Sequence, residues 1–459
     1  MAGIGFELKK ILRQESFSGD FGAYLYSALI SSGPWLMSII CLAVLGVVHR
    51  MGHDHISHEL FRSTITYSYA FSLIFVGILQ HVTTRYLADI YYEKKNNKTL
   101  SAFLTGMLML LISGSMFAGI CYFFFQISII HKILAVCLFL MISLIWFCMI
   151  FLSAIKDYAN ISYAYIWGSL FSIIFTIITG KYMGIEGAIW GYLSGQSIIF
   201  FWLLAIALKE FPETNLINTD YLLYFKKFWD LALIGFIFNL AIWIDKFIFW
   251  HAMDGRTVVP YFFTHDLYEA PLFFSYITVI PSLSFFLLKM ETTFSDHYWA
   301  YYAKVTDRMN YDSILEEKNL MIITLKESIR GLLIIQGLIT TICLIYSPEL
   351  VKLLHLQKIQ IPILRISIIG SFLNILLSIN IIILFYFDLR GSVLCISIIF
   401  LLLNTSFSYL SALYRNIQFY GYGYTYASFI SLLLGMYLLD TKLNDLEYIT
   451  FAKQPVIEG

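Results

Sequence analysis

Two groups of ionisable residues interrupt stretches of the chain that are otherwise apolar. The first is Trp243-Ile244-Asp245-Lys246, followed by Trp250 and His251; the second is His265-Asp266 with Glu269 and then Pro271. Charged side chains within hydrocarbon are costly unless paired or hydrated, and they mark cavities, ion pathways and gates. The first group falls about two turns, roughly 9 Å, below the outer end of its helix. The second opens the next helix from the same side, so the two are expected to meet at similar depth. A polar cavity or outer gate is one reading; a fixed salt bridge joining two helices is the other.

Further inward, His81, Arg85 and Asp89 recur every four residues and share one helical face. They read either as an inner gate or as an interfacial ion pair with a snorkelling arginine. Ser31-Ser32-Gly33-Pro34-Trp35 lies near the middle of an apolar stretch. Proline removes a backbone donor and clashes with the preceding turn, so Gly33, Pro34 and Trp35 predict a bend or hinge. Pro271 and Pro281 predict the same for a later helix. Asn239, Asn374, Asn380 and Asn404 are amides within apolar stretches, suited to bonding between helices or to sugar hydroxyls. His49, His53, Asp54, His55, His58 and Glu59 crowd one join, but their spacing matches no metal motif, and no metal or cofactor is assigned. No nucleotide-binding Gly-rich loop is present in the sequence.

The elements that must hold these residues are long apolar helices. Hydrophobic residues make up 59% of the 459 and charged residues 13%, about half the charged fraction of a soluble domain; mean hydropathy is +0.75. A spanning helix needs about 20 apolar residues, and windows of that length fall near 23–49, 64–88, 100–125, 132–155, 160–180, 185–208, 228–251, 267–290, 328–347, 363–387, 391–411 and 421–440. The fold class is therefore an all-α polytopic membrane protein with about twelve transmembrane helices. Short alternating strands, the mark of a membrane barrel, are missing. Lys and Arg favour the inner joins twenty to nine, which puts both termini in the cytoplasm.

The expected organisation is an interfacial amphipathic helix (1–22), a six-helix lobe (23–209), a cytoplasmic linker (210–227), a second six-helix lobe (228–440) and a cytoplasmic tail (441–459). Within the second lobe, 291–327 reads as a cytoplasmic amphipathic segment. All six cysteines fall inside predicted spans, so no disulfide is expected. A net charge of zero gives no field for nucleic acid. Short outer joins weigh against a membrane glycosyltransferase, and no enzyme activity is expected. A passive or ion-coupled carrier remains.

The opening Met1-Ala2-Gly3-Ile4-Gly5-Phe6-Glu7-Leu8 and Ile30-Ser31-Ser32-Gly33-Pro34-Trp35 resemble the PelG family of exopolysaccharide transport proteins. So do Thr84-Arg85-Tyr86-Leu87-Ala88-Asp89, Trp243-Ile244-Asp245-Lys246 and the stretch from Pro271 to Glu291. The resemblance implies the polysaccharide-transporter branch of the MOP superfamily, with two six-helix bundles around a cavity that faces each side in turn. It further implies a bacterial inner-membrane exporter of an N-acetylhexosamine-rich polymer. Implied partners are a cytoplasmic UDP-sugar-dependent glycosyltransferase and membrane proteins that respond to cyclic di-GMP. A flippase for lipid-linked oligosaccharide, a continuous polymer conduit, a cation-coupled multidrug extruder and a scaffold for the glycosyltransferase stay open as alternatives.

Overall fold

A computed structural model describes residues 41, 44–45, 55–153, 158–211, 218–252, 254–414 and 416–451. The expected amphipathic helix 1–22, the hinge Gly33-Pro34-Trp35, most of the first span and the end of the tail lie outside the described residues.

The described chain is almost wholly helical. The helices are α1 (His55–Tyr92), α2 (Thr99–Phe123), α3 (Ile129–Leu152), α4 (Tyr158–Glu210), α5 (Thr219–Lys227) and α6 (Trp229–Trp250). A two-stranded hairpin follows, β1 (Arg256–Val259) and β2 (Phe262–Thr264). Then come α7 (Asp266–Ile277), α8 (Ile280–Lys289), a π-helical turn (Met290–Phe294), α9 (Ser295–Thr306), α10 (Tyr311–Ile345) and α11 (Ser347–Leu353). The last are α12 (Ile361–Tyr386), α13 (Arg390–Leu413), α14 (Tyr422–Asn444) and α15 (Leu446–Phe451). Ten helical runs among the described residues are long and apolar enough to cross a membrane. They contain eleven of the twelve expected windows, because α4 holds two.

Those two legs of α4 are separated at Gly184, whose φ of 64° interrupts the helix. Only glycine takes that conformation without strain. The legs then fold back on each other through Gly187, Gly191 and Gly195. A Cβ at these positions would collide with Thr179, Phe175 and Ser172 respectively. Small residues every fourth position let two backbones approach closely where no hydrophobic force drives helices together.

The span from Asp266 is broken as its prolines suggest, though not at Pro271, which sits inside α7. The helix stops at Ile277 and resumes at Ile280 with Pro281 in the first turn of α8. Proline is tolerated there because the amide of an opening turn has no intrahelical acceptor. Ser282 donates to Gln336 at 2.5 Å, and Phe285 lies where a side chain on Gly331 would be, so α8 packs on α10. Residues 291–327 are helical on both sides of a turn at 307–310. Glu317 on α10 ties that turn down by accepting from Lys304 at 2.8 Å and from His297 on α9 at 2.7 Å. α10 has 35 residues, about 50 Å of helix, well beyond the roughly 30 Å of a hydrocarbon core.

Contacts group the described residues into two compact units. The first falls within Met1–Phe228, Arg256–Thr264 and Ile277–Thr341; the second within Trp229–Gly255, His265–Tyr276 and Ile342–Gly459. In the first, α1, α2 and both legs of α4 surround α3, whose Phe147 and Phe151 are fully buried. In the second, α13 packs on α6 and α14, and α14 packs on α12.

Candidate functional site

In the second unit, Asp245 and Lys246 are both fully buried on α6. Neighbouring residues on a helix do not face each other. The contact closes because Lys246 bends back along its own helix: its Nζ donates to the carbonyl of Ile242 at 2.8 Å and to Oδ1 of Asp245 at 3.2 Å. A third donor bond reaches the hydroxyl of Tyr276 at 3.4 Å. The ammonium also lies over three rings, Trp243 at 5.2 Å, Tyr276 at 5.6 Å and Tyr424 at 6.0 Å. Oδ2 of Asp245 accepts from Tyr268 at 2.5 Å.

Buried charges repay their desolvation only where geometry is good and remaining donors are satisfied. Here an aromatic cage and two tyrosine hydroxyls meet that condition. The pair is therefore a closed knot in this conformation rather than a wall of open water. Sequence reasoning found Asp245, Lys246 and Trp243 but missed Tyr268, Tyr276 and Tyr424. The signal was present in part, since Tyr268, Leu272 and Tyr276 repeat every four residues along α7.

The second sequence group surrounds this knot without pairing with Lys246. Glu269 is buried and accepts from Trp250 Nε1 and, at 3.4 Å, from the backbone amide of His265. His265 is buried with its ring edge-on to Tyr420 at 5.4 Å and Phe249 at 6.1 Å, and neither ring nitrogen has a hydrogen-bond partner. Burial lowers the imidazole pKa from its ordinary value. Asp266 is half-buried, and its carbonyl accepts from Gln360 at 3.2 Å, which fixes the start of α7. Tyr420 donates to Asp254 at 3.0 Å. Asn404 on α13 donates to the carbonyl of Ala241 on α6 at 2.8 Å, the inter-helix role expected of such amides.

The first unit holds the inner group. Arg85 and Asp89 form a pair at 3.1 Å within α1, and the guanidinium lies 5.6 Å from the Phe228 ring. Tyr224 on α5 donates to Asp89 at 3.2 Å, so the pair is tied to α5. Burial and the Asp89 carboxylate push the Tyr224 phenol up to about 12. His81 is half-buried on the same face of α1.

The hairpin β1–β2, invisible to the hydropathy pattern, docks on α1. Tyr67 stacks on Phe262 with centroids 4.6 Å apart, donates to the carbonyl of Phe263 at 3.0 Å and accepts from its amide at 3.1 Å. Arg62 donates to Thr264 at 3.3 Å, and Arg256 pairs with Glu59 at 3.0 Å. Beside this contact lies a cavity of about 420 Å³, walled by Tyr67, Phe71, Phe117, Tyr122, Phe125 and Tyr261 among others, with no charged side chain among the described residues of its lining. Its volume is that of a small-molecule pocket. Among the described residues no cluster of His, Cys, Asp or Glu could hold a metal ion.

The fold is shared with solved transporters. An outward-facing multidrug resistance MATE family transporter of the MOP superfamily matches with a TM-score of 0.63 at 12% identity, over 92% of this chain and 96% of that one. An inward-facing MATE family structure matches with a TM-score of 0.59 at 13% identity, over 92% and 95%. A MOP superfamily transporter from Pyrococcus furiosus, described as having reversed polarity of its binding pocket, matches with a TM-score of 0.61 at 13% identity, over 92% and 95%. At such identities these matches establish the fold alone. No curated protein sequence matches. The family described as "PelG: Putative exopolysaccharide Exporter (EPS-E)" matches residues 1–451. This multi-pass membrane protein, predominantly helical among its described residues and of the MATE-like MOP fold, belongs to the PelG family of exopolysaccharide exporters.

Proposed function

We propose that this chain exports a polymer rich in neutral N-acetylhexosamine across the bacterial inner membrane, with both termini in the cytoplasm. The observation that carries the reading is the aromatic cavity of the first unit, whose described lining residues include tyrosines and phenylalanines and no charged side chain. Sugar rings present C–H faces that stack on aromatic rings, and an acetylated neutral sugar asks for no counter-ion. A cavity for cationic drugs would gain from a carboxylate in its wall.

The Asp245–Lys246–Tyr268 knot is then a coupling element rather than a grip on cargo. When a proton from the aqueous phase binds the Asp245 carboxylate, the ion pair loses its negative partner and Lys246 is left caged but unneutralised. That destabilises the closed arrangement by about 3–5 kcal/mol, enough to shift a two-state equilibrium from one side to the other. Release of the proton restores the pair. Arg85 and Asp89, tied to α5, act as the inner gate, and the broken span around Pro271 and Pro281 takes up the bend. Similarity to both outward- and inward-facing folds supports such alternation.

The polymer is supplied by a cytoplasmic UDP-sugar-dependent glycosyltransferase held with cyclic di-GMP-responsive membrane partners. The test is polymer secretion from cells or vesicles with that glycosyltransferase supplied, with and without a proton gradient. Gradient-dependent secretion that is lost in Phe71→Ala with Tyr122→Ala is expected. Efflux of a cationic dye in place of polymer would assign the chain to multidrug extrusion, and transport of lipid-linked oligosaccharide alone would make it a flippase.

A further inference from the structure

Residues of α1, of the join that follows it and of α5 line a second cavity of about 340 Å³, chemically unlike the first. Its lining combines the largely apolar Tyr86, Ile90, Leu223 and Tyr224 with Lys95, Lys98 and Lys227 and the carboxylates Glu93 and Asp220. Lys95 is paired with Glu93 at 2.8 Å and Lys98 with Asp220 at 2.7 Å. Lys227 differs. Its ammonium lies 5.7 Å from the Tyr224 ring and 5.1 Å from the Phe228 ring, and no carboxylate among the described residues pairs with it. The lining thus holds three lysines and two carboxylates, Glu93 and Asp220; Lys94 and Lys226, exposed chain neighbours of Lys95 and Lys227, add positive charge nearby.

Apolar side chains in and next to this lining are exposed. Leu222 and Leu223 on α5 and Trp229 just beyond it are 43%, 63% and 62% exposed. A short helix that shows leucines next to lysines, with a tryptophan just past its end, has the pattern of a segment lying in a bilayer interface. A soluble anion would satisfy the lysines and leave those apolar groups facing water; a lipid satisfies both.

We propose that this cavity binds the phosphate of an anionic membrane phospholipid. Lys227 donates to a phosphate oxygen, Lys95 and Lys98 share their remaining protons with it, and the acyl chains leave over Leu223 and Leu222. The bound lipid anchors α5, and with it the join that holds Asp89 through Tyr224, to the membrane surface.

The test uses the full chain in detergent, with thermal shift as readout and three probes: short-chain phosphatidylglycerol, short-chain phosphatidylcholine and inorganic phosphate. Saturable stabilisation by phosphatidylglycerol is expected, with little from phosphatidylcholine and none from phosphate. Lys227→Gln and Lys95→Gln should each weaken phosphatidylglycerol binding about fivefold, the worth of one interfacial charge, and Lys227→Arg should restore most of it. Lys181→Gln, at an exposed lysine of α4, should leave binding unchanged. Equal stabilisation of wild type and Lys227→Gln, an equal loss with Lys181→Gln, or inorganic phosphate matching phosphatidylglycerol would each overturn the lipid site.

Discussion

Tyr268 gives its hydroxyl proton to Oδ2 of Asp245 across 2.5 Å, and that bond ties α7 to the one carboxylate that neutralises Lys246. The knot therefore depends on a residue whose own chain neighbours, Leu267 and Glu269, look more or less conspicuous than it does. Tyr268→Phe keeps the ring and removes the donor. It should cost about 1–3 kcal/mol, because one carboxylate oxygen is left buried with only the long 3.5 Å contact from Lys246. Thermal unfolding of the purified variant measures this, and an unchanged midpoint would show that the bond contributes nothing.

The two legs of α4 make a prediction about packing alone. Gly191→Ala and Gly195→Ala force a methyl into the backbone of the facing leg, and each should destabilise by about 1–3 kcal/mol. Gly184→Ala meets no neighbour, yet its positive φ should still cost about 1 kcal/mol through strain. Comparing the three melting temperatures separates collision from backbone strain.

At the hairpin, Tyr67→Phe retains the stacking on Phe262 and removes both hydrogen bonds to Phe263. A loss of about 1–2 kcal/mol is expected, accompanied by faster amide exchange at Phe263. Exchange at wild-type rate would mean that the two hydrogen bonds of Tyr67 do not hold the hairpin on α1.

The pH dependence follows from His265. Its pKa is lowered by burial, so between the folded and unfolded values the unfolded chain takes up a proton that the folded chain refuses. The stability is full above the ordinary value near 6.5 and declines as pH falls toward the folded value. The melting temperature should drop between about pH 7.5 and about pH 5.5, and His265→Phe should reduce that drop. A variant with the same slope as wild type would assign the pH effect to other groups.

Much of this architecture was legible because hydropathy reports solvent and little else. Eleven expected windows coincide with helices, and Gly184 falls in the gap foreseen between two of them. The charges of the site were legible for the same reason: Asp245 and Lys246 stand out against Phe247, Ile248 and Phe249. Their partners were not. Tyr268, Tyr276 and Tyr424 are three of 32 tyrosines, and only the fold says which of them gather round the Asp245–Lys246 pair. Nor did the spacing show that Lys246 would turn back on Asp245 instead of reaching Glu269, whose carboxylate is taken by Trp250 and the His265 amide. The hairpin escaped notice because a register of three strand pairs leaves no periodic signal.

The central claim is that the Asp245–Lys246 pair couples transport and does more than hold two helices together. Replacing both residues by apolar ones of similar size, Asp245→Leu with Lys246→Met, removes both buried charges at once and should restore stability to within about 1 kcal/mol of wild type. Polymer secretion by this double variant, measured with the glycosyltransferase supplied and protein abundance matched, should fall to background. Secretion at the wild-type rate from such a stable, uncharged variant would contradict the account.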